Sequence, residues 1–445
     1  MALRRRVALF LLFLGDILAL YAALFLTLAA RYGTGLYKEF ADVHFAPFTI
    51  IFVPWLLVFY IAGLYDLRRL RNNLDFLKTL ALSLVTNAAV AVLFFYLIPA
   101  FGIAPKTNLF IFLVVFAVVE TYWRRFFNRL TESGEAPNKV VLVGTGPSAK
   151  EIAATVRENP QLGYAITAEL TGEEASRTPA AIERAAREYS ANLVAVPREL
   201  KRKGSLALVL YRLFGRGISV IDLDSFYEVV MRKVPLADIE ETWFLENIES
   251  TARFYDPFKR AIEFLAALVI GIILLPLEIL IAIIVKLTSP GPVIYRHMRV
   301  GQHGREFTFY KFRNMRVDAE REGARWATPN DTRATPFGKF LRKTHLDELP
   351  QLWNIIKGDM SFVGPRPERP EFVIKLKEQI PFYEVRLLVR PGVTGWAQIN
   401  HRADLTPDDV KQKLQYDIYY LKNRSPVLDL AIVLKTLKSI FVTPK

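Results

Sequence analysis

The chain has 445 residues, a formal net charge of +14 at pH 7 and a hydrophobic fraction of 52%. That fraction excludes a disordered chain, which needs low hydrophobicity to escape collapse. Clustering of the apolar residues in long runs also argues against an ordinary soluble enzyme. Because cysteine is absent, disulfides, Cys-ligated metals and a thiolate nucleophile are excluded. The basic balance predicts an anionic partner, either nucleic acid or a phospholipid surface.

Four apolar runs dominate the first 130 residues, at positions 7–30, 48–64, 80–98 and 109–123. A helix needs about 20 such residues to cross ~30 Å of hydrocarbon. The first run is too long for a cleavable signal and carries Asp16 in its middle. We therefore predict that residues 1–130 form four transmembrane helices, the alternative being four buried core helices.

Basic residues flank these runs on one side of the predicted membrane. They are Arg4, Arg5, Arg6, Arg68, Arg69, Arg71, Lys78, Arg124, Arg125 and Arg129. The intervening loops, 31–47 and 99–108, carry few basic residues. The positive-inside rule then places the N-terminus and everything after Arg129 in the cytoplasm.

Residues 138–250 are predicted to form a Rossmann-like α/β module, because strand-like runs alternate with helical stretches. Gly144 and Gly146 follow the first strand, where a helix N-terminus can bind phosphate. The third glycine of that fingerprint is replaced by Ala149, and Pro147 occupies the helix start. Two alternatives stay open: a nucleotide bound at the glycines, or glycines that only permit a tight turn.

The third unit is predicted at residues 256–445 and opens with an apolar stretch at 261–285, within a predicted hairpin at 258–287. A fifth span would place the following basic residues outside, whereas basic residues flank the stretch on both sides. A re-entrant helical hairpin satisfies both flanks. Pro276 near its centre lacks a backbone donor and supplies the bend. An ordinary fifth span is the alternative.

Polar motifs follow the hairpin, and the pair Asp347 and Glu348 begins a helix predicted to run through Trp353 and Ile356. A helix N-terminus favours negative charge, so at least one carboxylate should be ionised. An ionised carboxylate can attack phosphorus or bind Mg²⁺. A phosphate-rich substrate would find cationic partners in this segment: Lys311, Arg313, Arg342, Lys343, Arg366 and Arg390. The alternative is a solvated helix start.

These motifs resemble those of the monotopic polyprenyl-phosphate phosphoglycosyl transferases, whose bacterial sugar transferase domain is similar to residues 256–442. The motifs are Lys311-Phe312-Arg313, Leu346-Asp347-Glu348-Leu349-Pro350-Gln351, Lys357-Gly358-Asp359-Met360-Ser361-Phe362-Val363-Gly364-Pro365-Arg366-Pro367 and Arg390-Pro391-Gly392-Val393-Thr394-Gly395-Trp396-Ala397-Gln398. The resemblance extends to the family's large, three-part members. It implies a membrane protein with a four-helix transmembrane bundle, a Rossmann-like α/β domain, and a mainly helical monotopic catalytic domain with a re-entrant hairpin.

The resemblance also implies a reaction: transfer of hexose-1-phosphate from a UDP-sugar, UDP-glucose or UDP-galactose, to undecaprenyl phosphate, with release of UMP. Asp347 matches the family's nucleophile, and Glu348 matches the partner that holds Mg²⁺. Arg342 matches a phosphate-contacting residue, Arg366 lies in the Pro-Arg-Pro turn, and Arg390 and Asp417 match polar positions near the substrate. One departure is Leu275-Pro276, where the family usually has Ser-Pro.

The implied setting is the cytoplasmic face of the bacterial inner membrane, at the start of exopolysaccharide, capsule or O-antigen assembly. Downstream glycosyltransferases would use the product, and we also expect a homodimer because the four spans have no other evident role. No nucleic acid is expected. A nucleotide-sugar-modifying enzyme and a non-catalytic sensing scaffold are the alternatives. The stretch from Val427 to Phe441 is equally compatible with an interfacial amphipathic helix and a core helix.

Overall fold

The computed structural model describes residues 2–35, 39–66, 72–97, 107–133, 138–202, 204–248, 252–316, 319, 332–401 and 406–442. The chain divides into two compact units, Met1–Phe226 and Tyr227–Lys445. Among the expected features, the side chains of Arg4 to Arg6 and of Arg68 to Arg71 lie outside the described residues.

Long helices build the first part of unit 1: α1 (Ala2–Tyr32), α2 (Phe45–Ala62), α3 (Leu74–Leu97) and α4 (Thr107–Ser133). Aromatic rings form much of their shared core, including Phe48, Trp55, Phe59, Phe112 and Phe116, each 0–1% exposed. Within the described residues, three of these helices are long and apolar enough to cross a membrane, over Val7–Tyr32, Phe45–Ala62 and Leu74–Phe95.

The fourth predicted span, 109–123, lies within α4 but is not among these candidates. Its apolar run ends at Glu120, and Arg124 follows one turn later. Instead, the fourth candidate span of the described chain is Tyr255–Thr288, in unit 2.

A network of buried charged side chains lies inside the helical bundle. The guanidinium of Arg124 donates to Asp16 at 2.5 Å, to Glu120 at 2.9 Å and to the Leu64 carbonyl at 2.6 Å. Tyr65 donates to the same aspartate. Asp16, Glu120 and Arg124 are each 0% exposed. Because charges inside a membrane are costly unless they pair, this network explains how Asp16 is tolerated in an apolar helix.

The α/β part of unit 1 contains a four-stranded parallel sheet in the order β2-β1-β3-β4. In chain order its elements are β1 (Asn138–Val143), α5 (Pro147–Glu158), β2 (Tyr164–Leu170), α6 (Gly172–Arg177), α7 (Ala180–Glu188), β3 (Leu193–Val196), α8 (Arg198–Lys201), α9 (Gly204–Gly215), β4 (Ser219–Asp222) and α10 (Leu223–Met231). The strands read as apolar runs because helices cover a parallel sheet. The parallel sheet with intervening helices agrees with the predicted α/β module.

Unit 2 is mixed, with two small sheets among helices. Its elements after α10 are α11 (Glu241–Asn247), α12 (Ala252–Thr288), β5 (Ile294–Val300), β6 (Glu306–Phe312), α13 (Pro336–Thr344), α14 (Gln351–Lys357), β7 (Ser361–Val363), α15 (Pro370–Gln379), β8 (Gly392–Thr394), α16 (Trp396–Asn400), α17 (Pro407–Asn423) and α18 (Pro426–Val442). Strands β5 and β6 pair antiparallel, and β7 and β8 pair parallel.

The core of unit 2 includes residues that precede the predicted boundary at 256. Val234, Leu236 and Trp243 pack in one buried cluster with residues of α15 and α17 such as Leu376 and Leu414. The domain boundaries 1–130, 138–250 and 256–445 remain predictions. Residues 234–243, which fall in the second predicted domain, pack with the third.

Helix α12 contains both Pro257 and Pro276 and is assigned as one helix of 37 residues. On the N-terminal side of Pro276, Ala267 lies in one buried cluster with Phe309 of β6, and on its C-terminal side Ile281 lies in another with Phe312 of the same strand. The two helix positions are fourteen residues apart, about 21 Å of straight helix, whereas the two strand positions are about 10 Å apart. The side chains between them are exposed, with Ile272 at 65% and Ile273 at 68%.

Residues 427–441 were compatible with an interfacial amphipathic helix or a core helix. The described side chains of helix α18 combine a buried face and an exposed apolar face. On one face, Ile432 is fully buried and Thr436 hydrogen bonds Thr394 at 2.6 Å. On the other face, Val427 and Leu430 are exposed. The helix therefore packs on the core while leaving apolar surface open.

Candidate functional site

The Asp347–Glu348 pair lies in a tight turn between two helices. Helix α13 ends at Thr344 because His345 adopts a left-handed conformation, with φ of 57°. Residues Leu346–Glu348 form a 3₁₀ turn, and α14 then begins at Gln351. The pair therefore lies just before a helix start, as expected.

Close backbone contact fixes the approach to this turn. Thr335 caps α13 by accepting a hydrogen bond from the Gly338 amide at 3.0 Å, and its own amide donates to the Asn314 carbonyl. A Cβ on Gly338 would lie 2.0 Å from that carbonyl oxygen. Only glycine allows this approach, which holds α13 against the end of the Lys311-Phe312-Arg313 motif.

Asp347 is 6% exposed, and its Oδ2 accepts a hydrogen bond from the Asn314 side-chain amide at 2.6 Å. Burial raises the pKa of Asp347 above the usual value for an aspartate, and the charge of Glu348 adds to the increase. The charge of Lys311, the Asn314 hydrogen bond and Arg366 oppose it only in part. A buried carboxylate with few donors is a better nucleophile than a fully solvated one.

Glu348 has the opposite electrostatic environment. Arg366 donates to both of its oxygens, at 2.5 Å and 3.4 Å, in a bidentate pair. Burial works to raise the pKa of Glu348, but the charge and hydrogen bonds of Arg366 outweigh it and hold the pKa below the usual value. The two neighbouring carboxylates are therefore pushed apart in pKa, a pattern typical of sites that assign them different roles.

Lys311, on β6, brings a third charge to the pair. Its ammonium lies 5.2 Å from the ring centre of Tyr295. Burial lowers the pKa of Lys311 to about 8, although the negative charge of Asp347 works against that change. A cation beside the carboxylates is suited to offset the charge of a phosphate.

Asp417 supports the site through other residues. It forms an ion pair with Arg386 at 3.0 Å, and these side chains are 2% and 5% exposed. Arg386 also donates to the Arg366 carbonyl at 2.8 Å. Asp417 thus fixes the position of Arg386. Arg386 in turn fixes the backbone of Arg366, the residue that contacts Glu348.

The remaining predicted basic residues of the site are described by their own positions and hydrogen bonds. Arg313 is buried and donates to the Ser289 carbonyl at 2.6 Å. Arg342 lies in the last turn of α13, and Arg390 donates to the Asp256 carbonyl at 3.2 Å. Within the described residues, the hydrogen bonds of Arg313 and Arg390 do not reach Asp347 or Glu348.

Two residues of the site were not singled out from the sequence, Asn314 and Arg386. Asn314 directly follows the Lys311-Phe312-Arg313 motif, so its position beside a motif was the available signal. Arg386 lies in a stretch with no motif, and no sequence pattern indicates that it pairs with Asp417.

A magnesium ion would find two carboxylates here. Across the part of the chain described, no group of three or more His, Asp or Glu side chains could hold a metal. Mg²⁺ commonly binds through one or two carboxylates together with substrate phosphates. Asp347 and Glu348 fit that mode of binding, although Arg366 occupies both oxygens of Glu348.

The two glycines of the α/β module lie at the carboxyl end of β1. Gly144 has a φ of 116°, and Gly146 precedes the first turn of α5. A Cβ on Gly144 would lie 3.4 Å from the ring of Pro197, which follows β3. Ligands bind at the edge between these strands in nucleotide-binding sheets. Here a proline ring lies close to Gly144, and the choice between nucleotide and tight turn stays open.

Comparison with known proteins identifies the C-terminal unit. Residues 254–443 match the family model described as bacterial sugar transferase. A relative from Aeromonas hydrophila, named UDP-N-acetylgalactosamine-undecaprenyl-phosphate N-acetylgalactosaminephosphotransferase, is 46% identical over 50% of this chain and 52% of its own length. The chain thus spans about half the length of that relative.

Two further relatives extend the comparison. The UDP-glucose:undecaprenyl-phosphate glucose-1-phosphate transferase of Xanthomonas campestris pv. campestris is 32% identical over 73% of this chain and 71% of the relative. The undecaprenyl-phosphate galactose phosphotransferase of Salmonella typhimurium is 38% identical over 40% of each chain. The similarity therefore reaches beyond the C-terminal unit.

Proposed function

The chain belongs to the bacterial sugar transferase family of phosphoglycosyl transferases, and on that premise we propose that it transfers a hexose-1-phosphate from a UDP-sugar to undecaprenyl phosphate. The products would be UMP and an undecaprenyl-diphosphate-sugar. The observation that carries the proposal is the opposite pKa displacement of two adjacent carboxylates, Asp347 upward and Glu348 downward.

Asp347 is the proposed nucleophile. One of its carboxylate oxygens attacks the β-phosphorus of the UDP-sugar, and the bond from that phosphorus to the bridging oxygen breaks. UMP leaves with the electron pair, and a phosphosugar-aspartate remains. A phosphate oxygen of the lipid acceptor then attacks the same phosphorus, and the Asp347 carboxylate is released. Two steps let a soluble and a lipidic substrate use one small site in turn.

The neighbouring cations have separate proposed roles. Lys311 offsets negative charge on the phosphoryl group, since it acts on both carboxylates from its buried position. Arg366 orients Glu348 and offers its fork-shaped guanidinium to a phosphate. Arg386 and Asp417 keep Arg366 in place through its carbonyl. Arg342 is retained as a phosphate contact from family resemblance alone.

Mg²⁺ is the proposed cofactor, held by Glu348 and by phosphate oxygens of the donor. When bound, the ion supplies positive charge that stabilises the UMP leaving group. Because Arg366 donates to both oxygens of Glu348, we expect metal binding to weaken that pair and to free the guanidinium for phosphate.

Membrane attachment follows the same proposal. We propose that α12 enters and leaves the cytoplasmic face of the inner membrane, with its bend at Pro276. Support comes from Ala267 and Ile281, on either side of Pro276, which lie in buried clusters with residues of one short strand, while most side chains between them are apolar and exposed. The four-span bundle, the cytoplasmic N-terminus, the homodimer and the downstream glycosyltransferases stay predictions.

The sugar is proposed as glucose or galactose, and the similarity to the Aeromonas protein adds N-acetylgalactosamine to the test. UMP release from each UDP-sugar would be measured with undecaprenyl phosphate and Mg²⁺ in nanodiscs. We expect release with one donor, lost in Asp347→Asn. Absence of release with every donor would contradict the proposal and favour the non-catalytic scaffold.

A further inference from the structure

A cavity of about 340 Å³ lies beside the first turns of α12. Four basic side chains line it: Lys259, Arg260, Arg390 and Arg424. Asp256 is the one carboxylate in that lining. The side chains that line the cavity therefore carry a net positive charge.

Two of the four cations are neutralised by acidic neighbours. Lys259 forms an ion pair with Asp429 at 2.6 Å, and its ammonium also donates to the Val363 carbonyl. Arg424 pairs with Asp256 at 3.4 Å. These pairs balance charge locally, so they leave no demand for an anion.

Arg260 and Arg390 differ, because within the described residues their hydrogen bonds go to carbonyl groups. Arg260 donates to the carbonyls of Ile355 and Ile356, and Arg390 donates to the carbonyl of Asp256. Across the described part of the chain, neither has a carboxylate oxygen within 4.0 Å. Their positive charges also lie close enough to repel each other. Two neighbouring guanidinium groups without an ion-pair partner suit a phosphate.

The location of the cavity indicates what carries that phosphate. Apolar side chains on α12 are exposed about one and two turns from Arg260, toward the same side of the helix: Phe264 is 38% and Leu268 40% exposed. A lipid could lay its hydrocarbon chain along this surface while its head group enters the cavity. We propose that the cavity formed by Arg260 and Arg390 binds the phosphate group of a lipid.

Under the proposed function, on which this step rests, that lipid is the polyprenyl phosphate acceptor. Neither Asp347 nor Glu348 lines the cavity, and neither arginine hydrogen bonds them within the described residues. It holds the acceptor phosphate at the membrane surface before the phosphate reaches the phosphosugar intermediate. Arg260 and Arg390 are therefore positioning residues for the second step of the reaction.

Arg260 could instead serve only to cap α14, because the carbonyls it bonds lie in the last turn of that helix. A capping role is measured by stability, whereas a binding role is measured by lipid phosphate affinity. The test must therefore read affinity directly and compare variants that remain folded.

Binding of radiolabelled undecaprenyl phosphate would be measured for the full chain in phosphatidylcholine nanodiscs. We expect Arg260→Gln and Arg390→Gln each to weaken binding about tenfold, the loss of one charge-assisted contact. Arg260→Lys should recover part of that affinity, because it restores charge without the fork. The matched control is Arg296→Gln, which removes an exposed arginine of β5 outside the cavity and should bind as the parent does.

Competitors then identify the source of the phosphate. No competition by phosphatidylglycerol or inorganic phosphate supports the acceptor. Displacement by phosphatidylglycerol at equal mole fraction supports a lipid phosphate site but assigns it to bulk phospholipid. Displacement by inorganic phosphate at the same concentration overturns the requirement for a lipid. Unchanged affinity in both glutamine variants overturns the cavity itself.

The first half of the reaction separates this proposal from the proposed function. Exchange of labelled UMP into the UDP-sugar needs no acceptor, so Arg260→Gln should leave its rate unchanged. If exchange is absent from the parent while the variants still lose lipid binding, the proposed reaction fails and the cavity stands. If Arg260→Gln slows exchange as much as acceptor-dependent turnover, the arginine belongs to the donor site and the acceptor assignment fails.

Discussion

The helical bundle and the catalytic unit each contain a cluster of buried charges, but the two clusters are built differently. In the bundle, Arg124 bonds both Asp16 and Glu120, and none of the three is exposed. In unit 2, Arg366 forms its ion pair with Glu348, and Asp347 accepts a hydrogen bond from the Asn314 side-chain amide. The first cluster pairs both carboxylates with one cation and is fully buried, whereas the second leaves Asp347 outside the ion pair and slightly exposed.

This contrast teaches that a buried charge in a sequence does not by itself mark a function. Asp16 attracts attention because it interrupts an apolar run, yet its partners fully account for it. Asp347 looks like an ordinary helix start, yet its surroundings separate it from Glu348 in pKa. Perturbed groups in a shared site are candidates for catalysis when their partners are incomplete.

The largest expected effect comes from removing the available carboxylate. Asp347→Asn should reduce UMP release by about 10⁴-fold or more, because the nucleophile is lost. The matched control is Asp359→Asn, which neutralises an aspartate of the same unit and should keep most activity. Turnover of the Asp347 variant near the parent rate would contradict the assigned role.

A smaller loss is expected when the partner of Glu348 is removed. Arg366→Gln should lower kcat/KM by about 10²-fold, since a charge-stabilising donor disappears from the site. Arg366→Lys should recover only part, because an ammonium cannot form the bidentate pair. Arg369→Gln, three residues along, serves as the control. An equal loss of kcat/KM in Arg366→Gln and Arg369→Gln would mean that the substitutions disturb the Pro-Arg-Pro turn rather than the Arg366–Glu348 pair.

The charge of Lys311 should appear in the pH dependence of kcat/KM. The raised pKa of Asp347 means that the rate falls as pH drops through that pKa, because the protonated acid cannot attack. Lys311, with a pKa of about 8, loses its charge as pH rises, and the rate should fall about tenfold on that side. Lys311→Arg keeps its charge at high pH. Persistence of the alkaline fall in this variant would exclude Lys311 as its cause.

Breaking the charge cluster of the helical bundle should lower stability and leave catalysis unchanged. Arg124→Met leaves Asp16 and Glu120 buried without their cation, and should lower the free energy of unfolding by about 3 kcal/mol. Thermal unfolding in detergent measures that loss, while UMP release per folded molecule should match the parent. Arg125→Met, the neighbouring arginine, is the control. A specific loss of turnover in folded Arg124→Met would show that the two clusters are not independent.

The sequence predicted features that depend on local pattern. Apolar runs predicted the long helices, alternating strands and helices predicted the parallel sheet, and the Asp347–Glu348 pair was correctly placed at a helix start. Packing between distant segments was harder to predict. Residues 234–243 join the core of unit 2 through contacts with α15 and α17, more than 130 residues away, and no local pattern records such a contact.

The site shows the same limit. Lys311, Asp347, Glu348 and Arg366 lie in motifs, and the fold links them through side-chain contacts and mutual charge effects. Arg386 was missed because its role comes from two partners, Asp417 and the Arg366 carbonyl, that are distant in sequence. Arg313 shares a motif with Lys311 but donates to the Ser289 carbonyl, because β6 ends at Phe312 and the regular strand geometry does not extend to Arg313.

The central claim is that Asp347 forms a covalent bond to the sugar phosphate. The most direct test mixes the full chain with the preferred UDP-sugar and Mg²⁺ without acceptor, then measures released UMP and the intact mass of the protein. We predict one UMP per active molecule and a hexose-phosphate adduct on the peptide that contains Asp347, discharged by undecaprenyl phosphate. UMP formation that requires the acceptor from the first turnover, with no adduct, would contradict the account.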